Sequence, residues 1–218
     1  MLASPDKMKY YIYVSDTKVD MLFPQIPRPI KSKIAAALKI DLQVLELSFQ
    51  KNPTQETRYS RLNIVANYIR KNEELGTADE PKAYFQGTLP MFWGQHGPPR
   101  TEVAYFGAQT VKTTLGLFGS LDHIVGGRPV SGQVITTLGL PFLLDVLRED
   151  ERSNSAPSTS LSIRRVASSL EVVEQATEQI SRQGLPQQLE FLAKRFMEGQ
   201  IGDKHILLGS PIYIAAAD

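Results

Sequence analysis

Between Ala83 and Gly119 three short runs rich in aromatic and β-branched residues follow one another, at 84–93, 102–106 and 111–118. Only Gly94, Gly97, Pro98 and Pro99, and then Gly107, break them. Breaks that short leave no room for a crossover helix, so the runs are expected to pair as an antiparallel meander rather than as βαβ units. Two more strands are expected at the ends. Tyr10-Tyr11-Ile12-Tyr13-Val14 is apolar and stops at Ser15-Asp16, and residues 206–208 with 212–215 close the chain in the same manner. The likeness of these two strands places them as neighbours in one sheet.

The rest of the pattern is mostly helical. Val19, Leu22, Phe23 and Ile26 share a face over 17–26, with Asp16 as the N-cap. Short helical spacing recurs over 30–38. Tyr59, Leu62, Val65, Ala66 and Ile69 mark a long helix over 54–75 that Gly76 ends. Residues 133–148 fit a helix kinked at Gly139 and Pro141. Leu170, Val173, Ala176 and Ile180 line one over 168–182, and 189–197 fits another short one. Residues 42–49 alternate and are expected to form a strand with a bulge. Residues 149–160 are charged and then rich in Ser, Thr, Pro and Asn, the composition of a mobile loop. The expected fold is α+β, one domain over 1–218, with a mixed, largely antiparallel central sheet and flanking helices.

Composition narrows the chemistry. The 218 residues carry 24 basic and 23 acidic side chains, a net charge of +1, so nothing steers the whole molecule to nucleic acid. Cysteine is absent, which removes disulfides, thiolate metal sites and a cysteine nucleophile. His96, His123 and His205 stand in no metal-ligand spacing, so no metal and no cofactor are expected. The first nine residues are polar and the longest apolar stretch, 134–147, is too short for a bilayer and contains Asp145, so a cytoplasmic location and no membrane contact are expected.

Two segments suggest a site. Ser15, Asp16 and Lys18 follow a buried strand and open a helix, the position where open α/β sheets bind ligands and where an anion is held. The same residues also fit a plain helix cap. The second segment contains Gly107, Gly119, Ser120, Asp122 and His123. Its glycines allow close approach to a ligand, yet the dinucleotide and P-loop spacings are missing, and turn glycines read equally well. Ser120, Asp122 and His123 offer triad residue types without a nucleophile elbow. Trp93 is either a core ring or an exposed anchor.

The segments 11–22 (YIYVSDTKVDML), Tyr105-Phe106-Gly107 through Gly116-Leu117-Phe118-Gly119-Ser120 to His123, and Leu207-Leu208-Gly209-Ser210-Pro211-Ile212-Tyr213 resemble three blocks of an uncharacterised family of bacterial proteins frequent in actinobacteria. The resemblance implies a bacterial domain of unknown function and carries no activity. Three function classes follow from the residues. The first is a ligand-binding or sensor module for an anionic metabolite or nucleotide in bacterial signalling or defence, using Ser15, Asp16, Lys18, Gly107, Gly119, Ser120 and His123. The second is a hydrolase-type enzyme using Asp16, Ser120 and His123. The third is a scaffold or assembly subunit with a homo-oligomeric or protein partner.

Overall fold

The meander forms, and two long strands bend it into a ring. The computed structural model describes residues 8–47, 55–96, 103–126, 169–182 and 184–217. In chain order the elements are β1 (Tyr11–Val14), α1 (Asp16–Leu22) with a 3-10 turn (Phe23–Gln25), α2 (Arg28–Ala37), α3 (Leu42–Leu47) and α4 (Gln55–Asn72). After these come β2 (Leu75–Gly76), β3 (Tyr84–His96), β4 (Val103–Gln109), β5 (Thr113–Ser120), a 3-10 turn (Leu121–His123), α5 (Ser169–Ser181), β6 (Gln187–Ile201) and β7 (Lys204–Ala216). The fold is α+β, and its mixed sheet closes into a barrel.

Closure comes from partner changes along β3 and β7. In β3, Tyr84 to Met91 pair with β6, and Phe92 to His96 pair with β4. β7 pairs with β6 along its length, with β5 from His205 to Gly209, and with β1 from Tyr213 to Ala215. The ring therefore runs β7–β5–β4–β3–β6 and back to β7, with β5–β7 its parallel contact and β1 and β2 attached outside it. The first and last strands are antiparallel neighbours, as their likeness suggests. Register shifts in β6 supply the extra bending that a small barrel needs.

Alternation then sorts the side chains. Phe85, Met91, Phe106, Leu115, Leu117, Phe191 and Leu207 fill the barrel, together with Tyr13. On one outer side α1 to α4 pack Val19, Phe23, Leu62, Val65 and Ile69 against Val14, Leu192, Ile212 and Tyr213. On another, α5 packs Val172, Val173, Ala176 and Ile180 against Val103, Tyr105, Phe118, Ile206 and Leu208. Each fully buried side chain of this size contributes roughly 1.5–3 kcal/mol.

Several expectations change. Residues 42–47 form helix α3, not a strand: Asp41 Oδ1 accepts the Gln43 amide at 2.9 Å and starts a helical turn, and Leu45 fits between the helices at 2% exposure. The expected bulge, where the alternation shifts from Val44 to Leu45, falls inside this helix, and residues 48–49 lie outside the described residues. Residues 187–201 form β6, not a helix. Leu189, Phe191 and Ala193 face the barrel while Leu192 faces the outer helices, so both faces are apolar and the strand period is hidden. A two-residue turn with Gly202 at φ 58° joins β6 to β7, a left-handed conformation that favours glycine. Ser15, not Asp16, precedes the first helical residue, and its side chain makes no capping bond. The long helix stops at Asn72, and Gly76 pairs with Phe85 instead of ending it. The expected helix at 133–148 and loop at 149–160 lie outside the described residues. Among the described residues no helix is long and apolar enough to cross a membrane.

Candidate functional site

Two segments a hundred residues apart meet where β1 ends. β1 stops at Val14, and the buried Ser15 amide donates to Ile212 O at 2.9 Å before α1 begins. β5 ends at Ser120, whose Oγ accepts the Asp122 amide at 3.3 Å and starts the 3-10 turn. The turn then folds back onto β1: Ile124 bridges to Tyr13, and the Val125 amide donates to Ile12 O at 2.8 Å. That return carries His123 over the start of α1.

The imidazole is held at both nitrogens. Nδ1 lies 3.2 Å from Tyr13 Oη, and Nε2 lies 3.3 Å from Thr17 Oγ1. Its ring meets the Tyr13 ring edge-on, at 5.7 Å and 89°. Burial pushes the His123 imidazole below its ordinary value; Lys18 and Arg58 push the same way, and Asp16 and Asp122 oppose them. Tyr13 is wholly buried, and burial raises its phenol. Its hydroxyl rests on Gly119, where an added Cβ would lie 1.9 Å away.

The charged groups around the imidazole are not alike. Asp16 is occupied, since Arg58 Nε donates to its Oδ1 at 2.6 Å while Arg58 Nη2 donates to Val14 O at 3.2 Å. Lys18 donates to the Ser15 hydroxyl at 3.2 Å and has no carboxylate partner among the described residues. Burial lowers its amine to about 8. The site thus presents a half-buried amine that no described carboxylate pairs, beside an imidazole whose burial favours the neutral form.

Of the residues marked by the sequence, Ser15, Asp16, Lys18, Ser120 and His123 come together, with Gly119 beneath Tyr13. Gly107 does not join them. It lies under α5, where a Cβ would come within 3.0 Å of both Thr177 and Ile180. Ser120 and His123 do not form a triad: the Ser120 hydroxyl donates to Asp122 Oδ2 at 3.4 Å, while His123 meets Tyr13 and Thr17. Trp93 stacks on Phe106 at 5.7 Å and donates to Gln187. Among the described residues no three His, Asp or Glu side chains gather as a metal site.

Sequence reasoning missed Tyr13, Thr17 and Arg58. The Ser-x-x-Lys spacing of Ser15 and Lys18, one helical turn, was the available signal for their contact. Nothing local marks Arg58, which reaches the site from α4. Ser15 is 1% exposed, so an incoming molecule meets the Lys18 amine before the hydroxyl.

A family model described as a family of unknown function (DUF7019) matches residues 9–218. No curated protein and no solved structure matches the chain.

Proposed function

The chain belongs to that family of unknown function, and from its own geometry we propose that it is a ligand-binding or sensor module for a small anion, a metabolite or nucleotide. The observation that carries this is Lys18: its amine is half-buried and, among the described residues, is hydrogen-bonded only to Ser15 and has no carboxylate partner. Withdrawing an ammonium from water costs free energy unless an opposite charge is supplied, and a bound anion supplies it. His123, held between Tyr13 and Thr17, lies near enough for the Lys18 amine to help keep its imidazole neutral. The hydrolase built on Asp16, Ser120 and His123 is favoured less, because the hydrogen bonds of all three run elsewhere. A bacterial origin, which the resemblance of the sequence blocks supports, belongs to the same proposal, together with a cytoplasmic location and a part in signalling or defence.

Native mass spectrometry, followed by denaturing analysis of the same sample, tests the reading. A small anion is expected to travel with the folded protein and to be lost in the Lys18→Gln, His123→Ala double variant, whose melting temperature does not fall well below that of the parent. A bare protein that also takes up nothing in a metabolite and nucleotide screen would end the proposal, as would a variant that binds equally well.

A further inference from the structure

At the far end of α4 there is a second cleft, of ≈ 420 Å³, whose walls include Arg70, Thr77, Gln86, Thr88, Glu190 and Tyr213. It is separate from the first site. Arg58 and Arg70 both belong to α4, and twelve residues of helix span about 18 Å. The volume lies within the range of small-molecule pockets, roughly 300–1,000 Å³.

The guanidinium of Arg70 is held by two hydrogen bonds and, among the described residues, faces no carboxylate partner. Nε donates to Gln86 Oε1 at 3.1 Å, and Nη2 donates to the Tyr213 hydroxyl. Both partners are uncharged. Tyr213 is 3% exposed, and burial, with Glu190 pushing the same way, raises its phenol to about 12 against the pull of Arg70, so the hydroxyl keeps its proton. The carboxylate in the cleft, Glu190, is already paired with Lys9. A guanidinium has five N–H donors. Arg70 uses two, and among the described residues neither the Nη1 amine nor a carboxylate partner is engaged. The Lys9, Glu190 and Arg70 group therefore carries one surplus positive charge.

We infer that the Arg70 cleft is a second ligand site, which takes a small polar molecule through a carboxylate or phosphate group bound by the open side of the Arg70 fork. A planar fork fixed by neutral partners recognises such groups through two parallel bonds, and fixing it beforehand reduces the ordering cost of binding. Thr77, Thr88 and Gln86 offer hydroxyl and amide partners to the rest of the molecule.

The test is a titration of the isotope-labelled full chain with inorganic phosphate and, separately, with succinate, following the Arg70 side-chain resonance. A saturable shift is expected for at least one probe, and which one responds separates phosphate esters from carboxylates. Arg70→Lys keeps the charge but not the fork, and is expected to weaken binding about ten-fold, the worth of one charge-assisted hydrogen bond. Gln86→Ala leaves the guanidinium present but unfixed and is expected to weaken it several-fold, which keeps the test alive if Arg70→Lys does not fold. Lys18→Gln is expected to change nothing at this cleft. Three outcomes would overturn the inference: no saturable shift with either probe, equal affinity in Arg70→Lys, or loss of the shift in Lys18→Gln, which would assign the binding to the first site.

Discussion

Lys18 costs stability in order to be available. Its amine titrates near 8 in the folded chain and near its ordinary value when unfolded. Between those limits the unfolded chain binds more protons, so stability should rise as pH increases from about 8 to about 10.5. Below 8 the full penalty applies. Lys18→Gln is therefore expected to stabilise the protein at pH 7 by about 1–3 kcal/mol, discounted for its partial exposure, and to flatten that rise. Denaturant unfolding at pH 7 and pH 10 checks this; a destabilised variant at pH 7 would show that Lys18 holds the fold together. The lowered imidazole of His123 acts in the same sense at lower pH, where stability should fall as the pH drops below its ordinary value of 6.5. The residues at this site were legible in the sequence because polar side chains sat directly after an apolar strand. Arg58 and Tyr13 were not, since one arrives from a helix forty residues on and the other looks like any core ring until its hydroxyl is placed.

Element by element, the glycines that suggested a ligand loop have another use. Gly107 and Gly116 face α5, and a Cβ on Gly116 would lie 2.3 Å from Tyr105 Oη and 3.1 Å from Val173. That hydroxyl is bonded to Val173 O at 3.2 Å and Thr177 Oγ1 at 2.9 Å. Bare backbone on these two strands lets the helix settle close and lets Tyr105 lie across the gap. Gly116→Ala should displace the ring and break its bonds, at about 2–4 kcal/mol by denaturant unfolding. A change under 0.5 kcal/mol would mean that α5 packs with slack. The meander, the end strands, α2, α4 and α5 were readable because one period dominates each. α3 and β6 were not, because a short alternating run satisfies either period, and a strand apolar on both faces has no strand signature. What decides β6 is pairing with β3 and β7, both remote or downstream in sequence.

For the molecule as a whole, the barrel interior and the first site share a wall. Tyr13 meets the Phe106 ring edge-on at 5.9 Å, and Phe106 stacks on Trp93. Phe106→Ala should cost about 3–5 kcal/mol and also loosen Tyr13, and through it His123. The paired measurement is melting temperature and the His123 ring resonance. A stability loss with an unmoved imidazole would separate barrel from site. Closure has a further consequence. Among the described residues each strand of the ring pairs with two others over part of its length, which shortens the rows of bare amides on which another chain could add itself, the usual seed of fibrous aggregates. Parting β6 from β3 or β7 would lengthen those rows, so resistance to fibril formation should track the strength of these two seams.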